Sequence, residues 1–408
     1  MTELSADLLI AGCHDDSEAA GLTITAPIEP IAGPGAPVKP PIYAASRQGE
    51  GPQYQFHAAW RGGGDERHTV TATVIDNVPS QANRIESALA GLVERMGLPE
   101  YVLDLTLVGQ LPAHLPTSLS SFHFPHRGAD AYLRDAELEG ERFGRTDEGR
   151  AVFAATDREP EALLQHVPQA LVFGQWQSHL GKGYSQAKIA RSWTSEITGY
   201  EPALLADEPA TPRRSGLKGD RLNLSTDETI YKNADDQAEW TVGKKEGGAD
   251  SKDKLSEIGH GQVPFSGDNG TPEPLSFRQI EQRATLGLAG LRKLWFDGDP
   301  DTRALARAVP AALAILGHVH AFGRPFTLRS GCDLRVYRSR QQWTWLGDDE
   351  DVLVEPLTRD AAQALFTDVV SRAAAAGLPV GTGSWSRTTL TPNASLTKAI
   401  RSTYPEVD

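Results

Sequence analysis

Residues 69–96 read TVTATVIDNVPSQANRIESALAGLVERM, and their periodicity changes halfway. The first part alternates, with Val70, Ala72 and Val74 on one side and Thr69, Thr71 and Thr73 on the other. That is the pattern of a half-buried strand. Asp76, Asn77 and Pro79 break it. Ile85, Leu89, Leu92, Val93 and Met96 then recur at helical spacing, the apolar stripe of an amphipathic helix. A strand that turns sharply into a helix calls for a fold holding both a sheet and helices. The turn and the first helical turn carry Asn77, Ser80, Gln81, Asn83 and Arg84. The first amides of a helix lack internal partners, and the dipole there favours an anion. Amides, a hydroxyl and an arginine around that end suit a phosphate. The plainer reading makes Asn77 or Ser80 a cap and Arg84 a solvated charge.

A chain of 408 residues can bury a large core without disulfides. Its two cysteines, Cys13 and Cys332, are too few for a disulfide framework or a cysteine metal site, which fits a reducing cytoplasm. No apolar run reads as long enough to span a bilayer. The stretch LLIAGC (8–13) looks like a lipoprotein cleavage site. It is preceded by Glu3 and Asp7 with no Lys or Arg, and its apolar part is too short, so the signal reading is rejected. The formal net charge of −14 argues against a polyanion ligand. However, residues 324–345 hold Arg324, Arg329, Arg335, Arg338 and Arg340 against Asp333 alone. Residues 177–195 hold Lys182, Lys188 and Arg191 with no acid. Locally basic grooves of this kind can hold a polyanion on an acidic protein.

Along the chain, residues 1–20 are acidic and read as a loosely packed end. Residues 21–31 alternate Leu22, Ile24 and Ala26 as a first strand. The Gly/Pro-rich stretch 31–43 is loop or extended arm, and residues 54–60 are a short strand. Residues 101–108 have strand character, and LVFGQW (171–176) reads as a strand. Residues 201–275 are polar and read as an insertion ordered by a partner. Ser276 and Gln279 suggest a capping box, with Phe277, Ile280, Ala284, Leu288, Leu291 and Trp295 at helical spacing. A second helix runs from about Asp301 through ALARAVPAALAILGHVHAF (304–322), where Pro310 should kink it or start a new segment. Residues 326–346 look like a hairpin and 352–357 a further strand. Thr358 caps a last helix ending at Ala376, before Gly377 and a Ser/Thr/Gly-rich tail. Together these elements predict an α+β domain with an antiparallel sheet, helices on one face and large insertions.

Several motifs bear on chemistry. His123 and His126, with Asp130 and Asp135 nearby, are the alternative reading: a metal-dependent nuclease or hydrolase. His318 and His320 are two apart on a helix and face different ways. GKGYS (181–185) fails the spacing of a phosphate loop but keeps a lysine on a glycine turn. KIARSW (188–193) puts Lys188 and Arg191 three apart, on one face if helical, with Ser192, Thr194 and Ser195 beside them. The aromatic signature of RNA-recognition sheets is absent. Trp343 and Trp345 on one hairpin face read as core.

Read together, VIDNVPSQANRIE, DAYLRDAELEGERFGRTDEG (130–149), ALVFGQWQSH (170–179), KIARSWTSEITGY (188–200), KLSEIGHGQVPF (254–265) and RQIEQRATLGLAGLRKLWF (278–296) resemble one family. It is the backbone subunit of type I-G (formerly I-U) CRISPR effector complexes, in the RAMP superfamily. The resemblance covers most of residues 20–300 and rests on the ordered set. It implies a modified RNA-recognition-motif, ferredoxin-like palm over residues 21–408, with a finger-like insertion at about 101–168 and a thumb-like one at about 201–272. It implies a non-catalytic, cytoplasmic subunit that needs no cofactor or metal and multimerises head to tail along guide RNA. Target DNA is then read by pairing with the guide. The implied partners are a repeat-processing subunit, a large subunit and a helicase–nuclease. The guide contacts carried over are Gln81, Asn83, Arg84, Lys188, Arg191 and Ser195. Local charge adds Arg127 and Lys182.

Overall fold

The computed structural model describes residues 2–43, 54–177, 188–204, 229–233, 240–243, 249–253, 255, 260 and 272–404. The chain runs α1 (Ala6–Cys13), β1 (Gly21–Pro30), β2 (Phe56–Arg61), β3 (His68–Asp76), α2 (Val78–Ala90), β4 (Glu100–Asp104), β5 (Gln175–Trp176), β6 (Lys188–Ile189) and β7 (Trp193–Pro202). It continues with β8 (Phe277–Gly287), α3 (Pro300–Phe322), β9 (Phe326–Arg329), β10 (Cys332–Val336), β11 (Gln342–Leu346), β12 (Asp351–Val354), α4 (Arg359–Ala375) and β13 (Arg387–Pro392). The fold is α+β. Two units separate: residues 1–36, 74–200 and 277–408 form one, and residues 37–73 and 201–276 the other.

In the larger unit β1 is central. One edge pairs antiparallel with β8 from Gly21↔Gly287 to Ile28↔Ile280. The other edge is shared end to end by β11, from Gly21↔Leu346, and β10, from Ile28↔Val336. β7 lies beyond β8, and the end of β3 (residues 74–76) beyond β7. Leu22 and Ile24 of β1 join the core that α1, α2, α3 and α4 cover. A second sheet sets β13 parallel to β4, Arg387↔Glu100 to Leu390↔Leu103. The smaller unit holds β2 paired with residues 68–73 and a sheet of Ile230–Asn233 between Trp240–Val242 and Ala249–Asp253.

Several expectations change. The segment at Phe277 is not a capped helix but the strand β8. Its inward face is Ile280, Gln282, Ala284 and Leu286, and a buried glutamine in that row hides the alternation. LVFGQW is helical at Gln169–Phe173 and only then a two-residue strand. Pro310 neither ends nor splits α3, which continues to Phe322. The tail holds β13 and the helix Ala394–Thr403. Residues 1–20 are not loose: Leu4, Leu9 and Cys13 are buried. Asp15 accepts hydrogen bonds from Arg307 (2.6 Å) and Arg303 (2.6 Å) of α3. Burial raises its carboxyl pKa, but the two guanidinium hydrogen bonds outweigh that and hold it below the usual range.

Residues 101–168 supply Tyr101, Leu133, Phe143, Phe153 and Leu163 to the core. Most of residues 201–272 lie outside the described residues. Contrary to the expectation, α3 is long and apolar enough to span a membrane, but 83% of its apolar window is buried inside the protein, as in the core helix of a globular fold.

His318 and His320 do face different ways. His320 meets Gln363 at 3.0 Å. His318 packs against Trp193, Phe322 and Trp343, and burial pushes its pKa down to about 3 from 6.5. Above the unfolded value both states are neutral and no stability depends on this proton. As pH falls below it, the unfolded chain takes a proton that the folded chain refuses. His318 should therefore subtract about 2 kcal/mol of stability by pH 5, relative to pH 8. Chemical denaturation of wild type and His318→Phe across that range measures it, and equal pH slopes would refute it.

Candidate nucleic-acid interface

The turn between β3 and α2 forms as the alternation predicts. Val70 and Ala72 are buried and Thr69 and Thr71 exposed, although Thr73 is also buried. Asn77 is the N-cap, its side chain accepting from Ser80 N at 3.1 Å. The anion at this helix end belongs to the protein. Asp76, 1% exposed, accepts hydrogen bonds from Ser80 Oγ (2.7 Å), Gln81 Nε2 and Arg84 Nε (2.9 Å). Arg329 also faces it at 3.6 Å. A fixed carboxylate occupies the place where a phosphate was expected.

Gln81 is fully buried. Its Oε1 accepts from Ser195 Oγ of β7 (2.7 Å) and Gln282 Nε2 of β8 (2.6 Å). Arg84 donates to Asp76 and to the Leu328 carbonyl (3.0 Å). Gln81, Ser195 and Arg84 therefore tie the sheet to α2. Such buried partners are costly to remove, about 1–3 kcal/mol for each group left unsatisfied.

Arg127 has an internal role as well. Its guanidinium makes a two-pronged pair with Glu86 of α2 (2.7 and 2.8 Å) and donates to the Gly174 carbonyl (2.9 Å). Burial pushes the Glu86 carboxyl pKa up, and the Arg127 charge pulls against it. The Gly174 carbonyl begins the short ladder of β5 and β6, where Gln175 pairs with Ile189 and Trp176 with Lys188. Gln175 and Ile189 are buried, whereas Trp176 is 60% exposed and Lys188 is exposed. Directly opposed residues share a face, so indole and ammonium stand side by side on the surface.

Arg191 follows, exposed, in a non-helical stretch between β6 and β7. The helical-face argument for Lys188 and Arg191 therefore fails, although both reach the surface. Gly174 has φ +82°, and a Cβ there would lie 3.0 Å from Arg191 Cγ and 2.9 Å from the Ile189 carbonyl. Only glycine fits this close approach. Asn83, His123 and Arg191 line an open cleft of about 270 Å³ above Arg127.

The charge pattern sorts these residues. Arg84 and Arg127 are neutralised by buried carboxylates. Lys188 and Arg191 have no ion-pair partner among the described residues. The arginine-rich stretch 324–345 is mostly compensated from afar: Arg335 and Arg340 pair with Glu29, Arg338 with Glu355 and Arg329 with Asp76. Lys182 and the GKGYS turn lie outside the described residues. Trp176 escaped the sequence reading. Its signal was a tryptophan two residues after a glycine, followed by the polar run Gln177, Ser178 and His179.

The acids of the alternative reading are committed elsewhere. Asp130 is an N-cap, accepting from Tyr132 N (2.8 Å) and His126 N (2.7 Å). Asp135 pairs with Arg134. His123 and His126 are exposed, and among the described residues no three His, Cys, Asp or Glu side chains converge as a metal set. Trp343 and Trp345 are buried core residues, as read.

Residues 22–203 match the model of a family described as CRISPR-associated protein GSU0053. That stretch, somewhat under half of the chain, holds Asn83, Arg127, Trp176, Lys188 and Arg191. The match supports a CRISPR-associated protein with a CRISPR-related role in antiviral defence. No curated protein matches the chain.

Proposed function

We propose that this chain is the RNA-binding backbone subunit of a type I-G CRISPR effector complex, a RAMP-superfamily protein that coats guide RNA. It acts without catalysis, in the cytoplasm. The observation that carries the reading is the surface of Trp176, Lys188 and Arg191: an exposed ring paired across the ladder with Lys188, and an exposed Arg191 three residues on, neither cation in an ion pair among the described residues. Stacking and phosphate attraction are the two terms that hold single-stranded RNA without reading its sequence. Asn83 and His123 extend that surface. The family match over residues 22–203 supports a CRISPR setting.

The order of elements also supports an RNA-recognition-type palm. Taking β1, α2, β7, β8, α3 and then β10 with β11, the core reads β-α-β-β-α-β. Its strands lie in the order fourth, first, third, second, the ferredoxin-like arrangement. Target DNA, further copies of the chain, a repeat-processing subunit, a large subunit and a helicase–nuclease are the partners this role requires. The thumb assigned to residues 201–272 belongs to the same proposal.

A guide is a linear lattice without a symmetry axis. Identical subunits reading it in one direction meet through unlike surfaces and form an open array. The chain carries a net charge of −14, so copies without RNA should repel one another. Light scattering with RNAs of graded length should give masses that rise with RNA length, and mainly monomer without RNA. A fixed mass whatever the RNA would overturn the backbone role.

A further inference from the structure

Arg324 is the exception in the arginine-rich stretch. Arg329, Arg335, Arg338 and Arg340 each face a carboxylate. Arg324 is exposed and has no ion pair or hydrogen bond among the described residues. It follows Gly323, the cap of α3. Two more arginines approach from other elements. Arg95 is exposed on a short helix, Val93–Met96, that follows α2, and it too lacks such partners among the described residues. Arg359 opens α4 and donates to the His320 carbonyl at 3.3 Å. The three surround His320, whose half-buried ring lies 3.0 Å from the Gln363 amide. Burial first, and then the charges of Arg359, Arg95 and Arg324, hold the His320 pKa below its ordinary value. The end of α3 and the start of α4 meet here with opposite dipole ends, so side-chain charge sets the field.

The composition of the patch narrows its partner. Gathered cations raise the local potential and draw in an anion even on an acidic protein. Two acids flank them in sequence. Glu94 faces Arg387 at 3.7 Å, and Asp360 is exposed. Among the described residues, none of the exposed large hydrophobic side chains lies in 93–97, 317–325 or 359–367. A protein partner would meet an apolar centre, whereas a sugar–phosphate backbone asks only for cations and donors. The patch is also distinct from the surface of Trp176, Lys188 and Arg191. Asn83, at that surface, stands in the first half of α2, and Arg95 lies beyond the C-terminal end of α2. We propose that Arg95 and Arg324 form a second phosphate site, which takes the backbone of a nucleic-acid strand. The proposal rests on the reading of this chain as a nucleic-acid-binding subunit. The strand is either the guide RNA itself or the DNA paired with it.

Filter binding of the full chain across a salt series tests this in two arms. The first titrates guide-length RNA. The second adds a short complementary DNA to the protein–RNA complex. Arg95→Gln with Arg324→Gln should weaken one arm by about tenfold near physiological salt and flatten its salt slope by about 1.4, two contacts at about 0.7 each. A change in the RNA arm assigns the site to the guide. An unchanged RNA arm with a weakened DNA arm assigns it to the paired strand. Arg95→Lys with Arg324→Lys should keep the slope, because charge carries it. Arg158→Gln with Lys293→Gln removes the same charge from other exposed positions and should change neither arm. Circular dichroism checks the fold of every variant. A double variant that matches the wild type in both arms, or a control pair that reproduces its effect, overturns the site and leaves the Trp176 surface standing. Wild type that binds neither strand overturns both proposals.

Discussion

Arg127→Ala should lower the unfolding free energy by about 3–5 kcal/mol, the usual cost of stranding one partner of a buried ion pair. The stranded partner is Glu86, 2% exposed on α2, which would lose both of its short contacts to the guanidinium. The Gly174 carbonyl would lose its donor at the same time. Arg127→Lys should recover only part of the loss, because a point charge cannot span both carboxylate oxygens and the carbonyl. A double change, Arg127→Met with Glu86→Leu, should recover more stability than either single change, since it removes the buried charge outright. RNA binding should behave differently. The double variant should still bind RNA less well than the wild type, because the Gly174 carbonyl, at the start of the ladder that carries Trp176, has lost its Arg127 donor. Urea denaturation followed by tryptophan fluorescence gives the stabilities. A loss below about 1 kcal/mol for Arg127→Ala would place the pair in solvent-screened surroundings instead.

That Arg127 is an internal brace, paired with Glu86 and the Gly174 carbonyl, shows where sequence reading stops. β1, the β3–α2 unit and α4 were legible because each carries its own signal: alternation, a polar break, or Thr358 before and Gly377 after a helix. β8 was not, because Phe277, Ile280 and Ala284 also satisfy helical spacing; the eight-residue register with β1 decides between the two. β13 was missed because its Thr-rich sequence has little local preference and is held by parallel pairing with β4, far away in the chain. The candidate site divides in the same way. Lys188, Arg191 and Asn83 were found by residue type and do reach the surface. Gln81, Arg84, Arg127 and Ser195 have the same chemistry, but distant partners take them: Asp76, Glu86 and Gln282. Net charge in a sequence window cannot show that Glu29 neutralises arginines more than three hundred residues later.

Trp176→Ala combined with Lys188→Ala and Arg191→Ala should weaken single-stranded RNA binding by about 100-fold or more near physiological salt. The two kinds of change should separate by salt. Each lost cation removes one phosphate contact and flattens the slope of log affinity against log salt by about 0.7 on a single strand. The penalty of Lys188→Ala with Arg191→Ala should therefore shrink as salt rises. Stacking on an indole releases no counterions, so Trp176→Ala alone should cost about 1–3 kcal/mol at every salt concentration. Trp176→Phe should restore part of it through the smaller ring. Arg84→Ala is the control: its guanidinium is committed to Asp76 and the Leu328 carbonyl, so it should reduce stability and leave the salt slope unchanged. Filter binding across a salt series, with the fold checked by circular dichroism, reads all of these. If the triple variant binds RNA like the wild type, or if Arg84→Ala alone flattens the slope, the guide lies on another face of the protein.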